Sequence, residues 1–382
     1  MHRSGVKMFE SKEDISRFGK KIMEYITHSG ACAVGVCNAD SLEGGPPSAD
    51  LTREMPSAKS AFVFAVPLDD DIIEAYMGKI DHGKYQSHYI RTNIVAEGIA
   101  SSACHFLRGQ GYEAQVVNAG NTTSGGDGRD VTPQNDSQRA AAEKYPTTDI
   151  DMMIGTIPVL SQRFLAAAAG VGYFGRSGNI LTSSHGASVV LGALVTSMEL
   201  EATPPIPHEE NYCDNCNWCE AVCPTTYMSR TENNNVQLGE MEHTYSKRMH
   251  PGRCASYMMG SAGLAENGKF SAWGPGRKTM PKEDDQVLIK LIEISTDMAN
   301  RPQTPGGFVN PPDQGEKRMN INCSACNLVC HPEREVRRKR VKLWTQGGVS
   351  VQHEDGTLES MPREEAEAFI AAMTPERRAL YE

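Results

Sequence analysis

The chain has 382 residues, 39% of them hydrophobic and 23% charged, with a net charge of −10. That length supports a full core and two or three domains, and the acidic balance argues against a general nucleic-acid binder, which carries a basic footprint. Its longest apolar stretch, Phe164–Phe174, is interrupted by glycine and falls well short of the ~20 residues of a membrane span. The N-terminus has neither an apolar signal core nor a twin arginine, so the expectation is a cytoplasmic chain.

Residues 10–29 read as an amphipathic helix, and Ala31–Cys37 and Ala61–Pro67 as short buried strands. From about Tyr85 to Gly111 a long helix is expected, because Ile90, Ile94, Ala100, Ala103, Phe106 and Leu107 recur near helical spacing. Gly109 and Gly111 supply its stop signal. Tyr112–Asn118 alternates like a strand. The polar stretch 121–148, rich in Gly, Asp and Ser, reads as a long surface loop or insertion. A second helix is expected over 157–169, then the glycine-rich turn Gly170–Gly178, then strands near Asn179–Leu181 and Ser188–Thr196. Prolines 204, 205 and 207 mark a linker. The expected organisation is therefore an α/β domain over 1–203 and a cysteine-rich domain over 204–335, interrupted by an insertion at 255–320. A polar helical tail over 336–382 closes the chain. The run Arg334–Lys342, six basic residues in nine, reads as a solvated helix face, with a contact for an acidic partner or nucleic acid as the alternative.

Eleven cysteines in a large chain of this kind point to metal or free thiols before disulfides. Cys32, Cys37 and Cys104 stand apart among small or apolar neighbours and read as buried structural thiols. The other eight are clustered. Cys213-x2-Cys216-x2-Cys219-x3-Cys223-Pro224 is the bacterial ferredoxin run, in which three thiolates hold one [4Fe–4S] cubane and the fourth crosses to a second. Cys323-x2-Cys326-x3-Cys330 supplies three more ligands, and Cys254, alone between the two motifs, is the natural eighth. One cluster then takes Cys213, Cys216, Cys219 and Cys330, and the other takes Cys223, Cys254, Cys323 and Cys326. Zinc knuckles also use paired cysteines, but eight in this crossing register fit iron–sulfur clusters better. His331 follows the last cysteine where a proline is usual.

The stretch Ser161–Leu200, followed by these two motifs, resembles the corrinoid iron–sulfur reductases, that is, the reductive dehalogenases and epoxyqueuosine reductase. Ser57–Asp70 and Phe106–Ala114 match as well, so the resemblance covers roughly residues 25–332. It implies an α+β fold: a nitroreductase-like α/β domain that binds cobalamin, followed by a ferredoxin-like domain with two [4Fe–4S] clusters. The cobalamin would be base-off, and one cluster would reduce its cobalt to Co(I). The resemblance places Gly172, Tyr173, Gly175, Arg176, Ser177, Gly178 and Asn179 in the turn over the corrin.

Two positions bear on the choice within the family. Epoxyqueuosine reductases carry an acidic proton donor where this chain has Gly155, with Asp151 four residues upstream, and a Gly-Lys-Asn-Thr turn where this chain has Gly-Arg-Ser-Gly. Both differences favour the dehalogenase side. There a tyrosine is the proposed proton donor, and Tyr89 holds about the matching place, with Tyr85 as backup and Arg176 as the basic helper. A guanidinium near a phenol stabilises the phenolate and eases proton release. His185 reads as a turn residue and not a cobalt ligand. The expected activity is thus reduction, dehalogenation in kind, of a small organic substrate, fed by a low-potential donor such as ferredoxin or flavodoxin, without nucleic acid. An epoxyqueuosine-type tRNA reductase and a non-catalytic two-cluster electron carrier are the alternatives.

Overall fold

The computed structural model describes residues 11–117, 136–144, 159–281, 283–309 and 318–382. They form a mixed α/β chain in two compact units, each discontinuous in sequence. The first takes Met1–Pro67, Arg91–Asp214 and Asn235–Tyr245, and the second Leu68–Ile90, Asn215–Asn234 and Ser246–Glu382.

The first unit is built on a four-stranded antiparallel sheet. Its strands are β1 (Ala33–Asn38), β2 (Ser60–Pro67), β3 (Ala114–Val117) and, from later in the chain, Val189–Thr196. The order across the sheet is β1, β2, Val189–Thr196, β3. β2 is a run of branched and aromatic side chains buried from Ser60 to Val66, as suits a central strand. It pairs with Val189–Thr196 from Ser60↔Thr196 to Pro67↔Val189. In that register Gly192 lies opposite Phe64, and a Cβ on Gly192 would stand 2.4 Å from the Phe64 ring. The helix Gln162–Ala168 packs on β1, β2 and Val189–Thr196. Its alanines permit close approach, so Gly35 of β1 meets the carbonyl of Ala169 where a Cβ would come within 1.9 Å.

Helix α1 (Lys12–His28) starts where Ser11 accepts a hydrogen bond from the Asp14 N–H at 3.1 Å, a side-chain N-cap. Helix α2 spans Asp70–Met77 and α3 spans His82–Gly109. The long helix is present as expected, but it begins three residues earlier, and its buried side is carried by Ala96, Ile99, Ala100, Ala103 and Leu107. Ile94 and Phe106 are exposed, and Phe106 rests edge-on against Tyr25 of α1. The helix expected over 157–169 begins only at Gln162, since the Ser161 N–H is bound to the Ser48 carbonyl at 2.7 Å. Within the stretch read as loop, Asp136–Lys144 is a helix. It has no apolar stripe to betray it, only good helix formers between an acidic first turn and a basic last one. The remainder of 121–148 lies outside the described residues.

The second unit packs α2 and the short helices Trp218–Ala221 and Ala325–Leu328 with the helix Arg334–Gln346. Its C-terminal part is not simply helical. Val349–Gln352 and Leu358–Met361 form a hairpin around the Asp355-Gly356 turn. Together with the helix Arg363–Ala371 they enclose Val349, Val351, Ala366, Ile370, Met373 and Tyr381. The strands are four residues each, too short for their alternation to stand out. The basic run is likewise no uniform solvated face. Arg337 and Arg340 are buried, and Arg340 pairs with Asp70 and donates to the Leu328 carbonyl.

Gly192→Val should force the Phe64 ring out of place and lower stability by at least about 1–3 kcal/mol. Urea unfolding followed by circular dichroism measures this, and an unchanged midpoint would contradict the packing described.

Candidate functional site

The glycine-rich turn is a tight hairpin in the first unit. Tyr173 pairs with Leu181 and Phe174 with Ile180. The loop between closes through Gly175 N–H to the Asn179 carbonyl at 3.0 Å and Gly178 N–H to the Gly175 carbonyl at 2.8 Å. Gly178 sits at φ 73°, the left-handed region that favours glycine, and Arg163 donates to its carbonyl at 2.6 Å. Gly172 admits no side chain, since a Cβ would lie 2.5 Å from Ile180 and 2.6 Å from the Leu181 carbonyl. Gly172, Tyr173, Gly175, Ser177 and Gly178 are buried, and Arg176 and Asn179 are partly exposed.

This hairpin grips the segment that leads into the first cysteine. Asn211 donates to the Phe174 carbonyl at 3.1 Å, and the Tyr212 N–H donates to the Tyr173 hydroxyl at 3.0 Å. The Tyr212 hydroxyl donates to the Thr182 carbonyl at 3.1 Å. Most telling, the Arg176 N–H donates to Cys213 Sγ at 3.3 Å. An amide aimed at sulfur stabilises the thiolate form. The family resemblance implies cofactor binding for this turn, and the contact to Cys213 is not legible in the sequence.

His243 lies against Phe174, with ring centroids 5.5 Å apart. Burial, helped by His208, pushes its pKa down to about 4. His185 occupies a turn closed by the Thr182–Gly186 bridge, as expected.

In the second unit the ferredoxin run wraps back on itself. Asn215 and Asn217, between the cysteines, take positive φ of 51° and 59°, a conformation asparagine tolerates better than most residues. The turn they make leads into the helix Trp218–Ala221, which packs on the helix Ala325–Leu328 carrying Cys326. Cys254 sits in the first turn of Pro251–Met259, after a His250 N-cap that accepts from the Gly252 N–H at 3.0 Å. Arg253 is anchored to Asp284 at 2.9 Å.

Cys223, Cys254, Cys323 and Cys326 interact electrostatically. Burial, then Cys326, pushes the Cys223 thiol up to about 12. Cys254 is also pushed up to about 12, by burial, then by Cys326 and Cys223. The Cys323 thiol is raised by burial and by Cys254, Cys326 and Cys223. Four thiols close enough to oppose one another's ionisation require a cationic centre to become thiolates together. Among the described residues no three His, Cys, Asp or Glu side chains are arranged around a single-ion position. A cubane differs in spreading its ligands around four irons.

Sequence reading missed the groups that serve these sulfurs. Buried Arg337 donates to Cys216 Sγ at 3.7 Å and lies over the Trp218 ring, with the guanidinium 5.9 Å from the centroid. His331 is buried and accepts the Glu333 N–H at 3.1 Å. It thereby ties down the entry to Arg334–Gln346, which accounts for a histidine where proline is usual. Of the two tyrosines, Tyr85 is fully buried, its ring centroid 4.1 Å from that of Tyr76 and its hydroxyl beside Ser324 outside hydrogen-bond geometry. Burial raises its pKa further above the ordinary phenol value. Tyr89 is partly exposed, 6.1 Å from Tyr85 between centroids, and lies two turns into α3 instead of at its start. Tyr89 falls in the second unit and Arg176 in the first. Gly155 and Asp151 lie outside the described residues. Cys37 and Cys104 are buried as expected, and Cys32 is partly so, donating to the Ala65 carbonyl.

His243 predicts a pH dependence. Unfolded, it takes a proton near pH 6.5, and folded only near 4. The unfolded state therefore binds more protons between those values, and stability falls as pH drops from 6.5 to 4 by on the order of 1–3 kcal/mol. His243→Phe should flatten that slope in urea titrations, and an equal slope in both proteins would exclude His243 as its source.

No family model matches the chain. An epoxyqueuosine reductase of Gloeobacter violaceus is 39% identical over 75 residues, 20% of this chain and 22% of that protein. One of Bacillus anthracis is 34% identical over 83 residues, 22% and 21% of the two chains. The chain thus matches little more than a fifth of the length of these relatives. A reductive dehalogenase of known structure, described with B12-dependent dehalogenation, aligns over 98% of this chain and 51% of its own, at 16% identity and a TM-score of 0.46. Among the described residues no helix is long and apolar enough to cross a membrane. The relatives agree with the motifs: the chain is related to the corrinoid iron–sulfur reductases, and shares its matched segments with the epoxyqueuosine reductases.

Proposed function

We propose that the protein is a corrinoid-dependent iron–sulfur reductase. The observation that carries this is the convergence of Cys223, Cys254, Cys323 and Cys326, three of them from the two ferredoxin-type runs and one from the single cysteine between them. In this reading these four hold one [4Fe–4S] cluster, and Cys213, Cys216, Cys219 and Cys330 hold the other. Residues 1–203 act as a nitroreductase-like corrinoid and substrate domain, and 204–335 as a ferredoxin-like domain. When bound, the clusters carry single electrons and a base-off cobalamin supplies a low-potential, nucleophilic metal. The hairpin Gly172–Asn179 orients the corrinoid, and its Arg176 amide steadies the Cys213 thiolate. A low-potential donor such as ferredoxin or flavodoxin feeds the clusters.

The relatives' names favour an epoxyqueuosine-type reduction. That revises the expectation that nucleic acid plays no part, since net acidity does not forbid a local contact to a modified nucleoside. Reductive dehalogenation of a small organic molecule is the second reading, favoured by Gly155 in place of the acid and by Arg176-Ser177 in the turn. In either case Tyr89 is the better proton donor, because it is partly exposed, whereas burial makes Tyr85 hold its proton.

Anaerobically reconstituted protein should retain cobalamin in equal amount, and loss of all corrinoid on a desalting column would overturn the proposal. The loaded protein, given a chemical reductant, should turn over either epoxyqueuosine-bearing tRNA or a halogenated phenol, and the active arm selects the substrate class. Tyr89→Phe should lower kcat by about 10²–10⁴ with cobalamin retention unchanged, and undiminished kcat would remove Tyr89 from the chemistry.

A further inference from the structure

Lys79 occupies a position usually reserved for glycine. It follows Gly78 at the end of α2, where the Lys79 N–H donates to the Tyr76 carbonyl at 3.1 Å and the Ile80 N–H to the Ala75 carbonyl at 2.9 Å. That pair of bonds is a Schellman end, whose left-handed residue is normally glycine. Lys79 takes it at φ 61°, at a cost of about 1 kcal/mol or more.

The side chain then turns inward. The residue is partly exposed as a whole, but its Nζ is buried and has no hydrogen-bond acceptor among the described residues. It lies 4.7 Å from the Trp273 ring centroid and 4.3 Å from that of Trp344. Gly347 leaves room for the stem, since a Cβ there would come within 2.7 Å of Lys79 Cγ. Two ring faces give a desolvated ammonium about 2 kcal/mol each at best, while withdrawing it from water costs several. A nearby negative charge would complete the balance, and no carboxylate pairs with Lys79 among the described ion pairs.

The walls of the cage indicate where that charge lies. Trp344 donates through Nε1 to the carbonyl of Val222, next to Cys223, at 3.0 Å. The Trp273 N–H donates to the carbonyl of Asn322, next to Cys323, at 2.9 Å. Burial pushes the Lys79 ammonium well below its ordinary pKa, and the charge of Cys323 works in the opposite sense, favouring the protonated lysine.

We propose that Lys79 is the resident counter-cation of the cluster held by Cys223, Cys254, Cys323 and Cys326, and that it holds that cluster's reduction potential up. Reduction adds one negative charge to an already anionic thiolate-bound cluster, so a fixed cation favours the reduced form. Lys79 is a positioning residue in this role, acting on the cluster through its charge alone. The other cluster has its own cation, Arg337 at Cys216, and so serves as an internal reference.

This inference rests on the two-cluster reading above. The test is an EPR-monitored redox titration of the anaerobic full-length protein and of Lys79→Met, which keeps the apolar stem, and Lys79→Arg, which keeps the charge. Lys79→Met should make reduction of one cluster about tenfold less favourable, about 59 mV for a one-electron couple, and leave the other unchanged. Lys79→Arg should restore most of the difference. Two loaded clusters with unmoved potentials in Lys79→Met would overturn the role of Lys79 alone. If Lys79→Met fails to load, retention of both clusters by Lys79→Arg supports the role, and loss of a cluster in both variants reduces Lys79 to a packing element. Absence of clusters from the unaltered protein would instead overturn the reading on which the inference rests.

Discussion

Four thiolates cannot be taken out of water together unless positive charge meets them, and the second unit is arranged around that constraint. Cys223, Cys254 and Cys326 each raise the cost of ionising another of the four, Cys323 among them. Iron supplies most of the compensating charge in the proposed state, but the protein supplies some as well. The Lys79 ammonium lies buried between Trp273 and Trp344, and Arg337 reaches Cys216. The features that look uneconomical elsewhere, such as a left-handed lysine and arginines inside a polar helix, make sense as answers to that burden.

The first unit contributes a different kind of support. Its helix Gln162–Ala168, packed on the antiparallel sheet, also carries a glycine-rich hairpin whose backbone can come close to other chain. That hairpin holds Asn211–Cys213 by four hydrogen bonds, the last from an amide to sulfur. Backbone donors suit this task because their direction is set by the fold and does not depend on a flexible side chain. The same rigidity is what a planar macrocycle beside the hairpin would require, so the proposed corrinoid role and the observed contact to Cys213 are compatible uses of one element.

What was legible in the sequence was what local spacing encodes. The cysteine runs stood out because their ferredoxin-type spacing is local. The strands Ser60–Pro67 and Val189–Thr196 were readable because buried strands are continuous apolar runs. The helix Asp136–Lys144 and the hairpin Val349–Met361 were not, the first lacking an apolar stripe and the second having strands of only four residues. Nor could spacing tell that Ile94 and Phe106 are exposed while Ala96, Ala100 and Ala103 are buried. The roles of Lys79, Arg337 and His331 depend on partners far along the chain, and no periodicity carries that information. His331 looked like a departure from a motif, and it accepts the N–H of Glu333, the residue at the start of the next helix.

The most direct measurement of the central claim is the iron, sulfide and zinc content of the anaerobic protein, with EPR of its reduced form, beside Cys254→Ser. The account predicts about eight irons and eight sulfides per chain, two interacting cluster signals, and loss of close to half the iron in the variant. Bound zinc in place of iron, or an iron content that Cys254→Ser leaves unchanged, would contradict it.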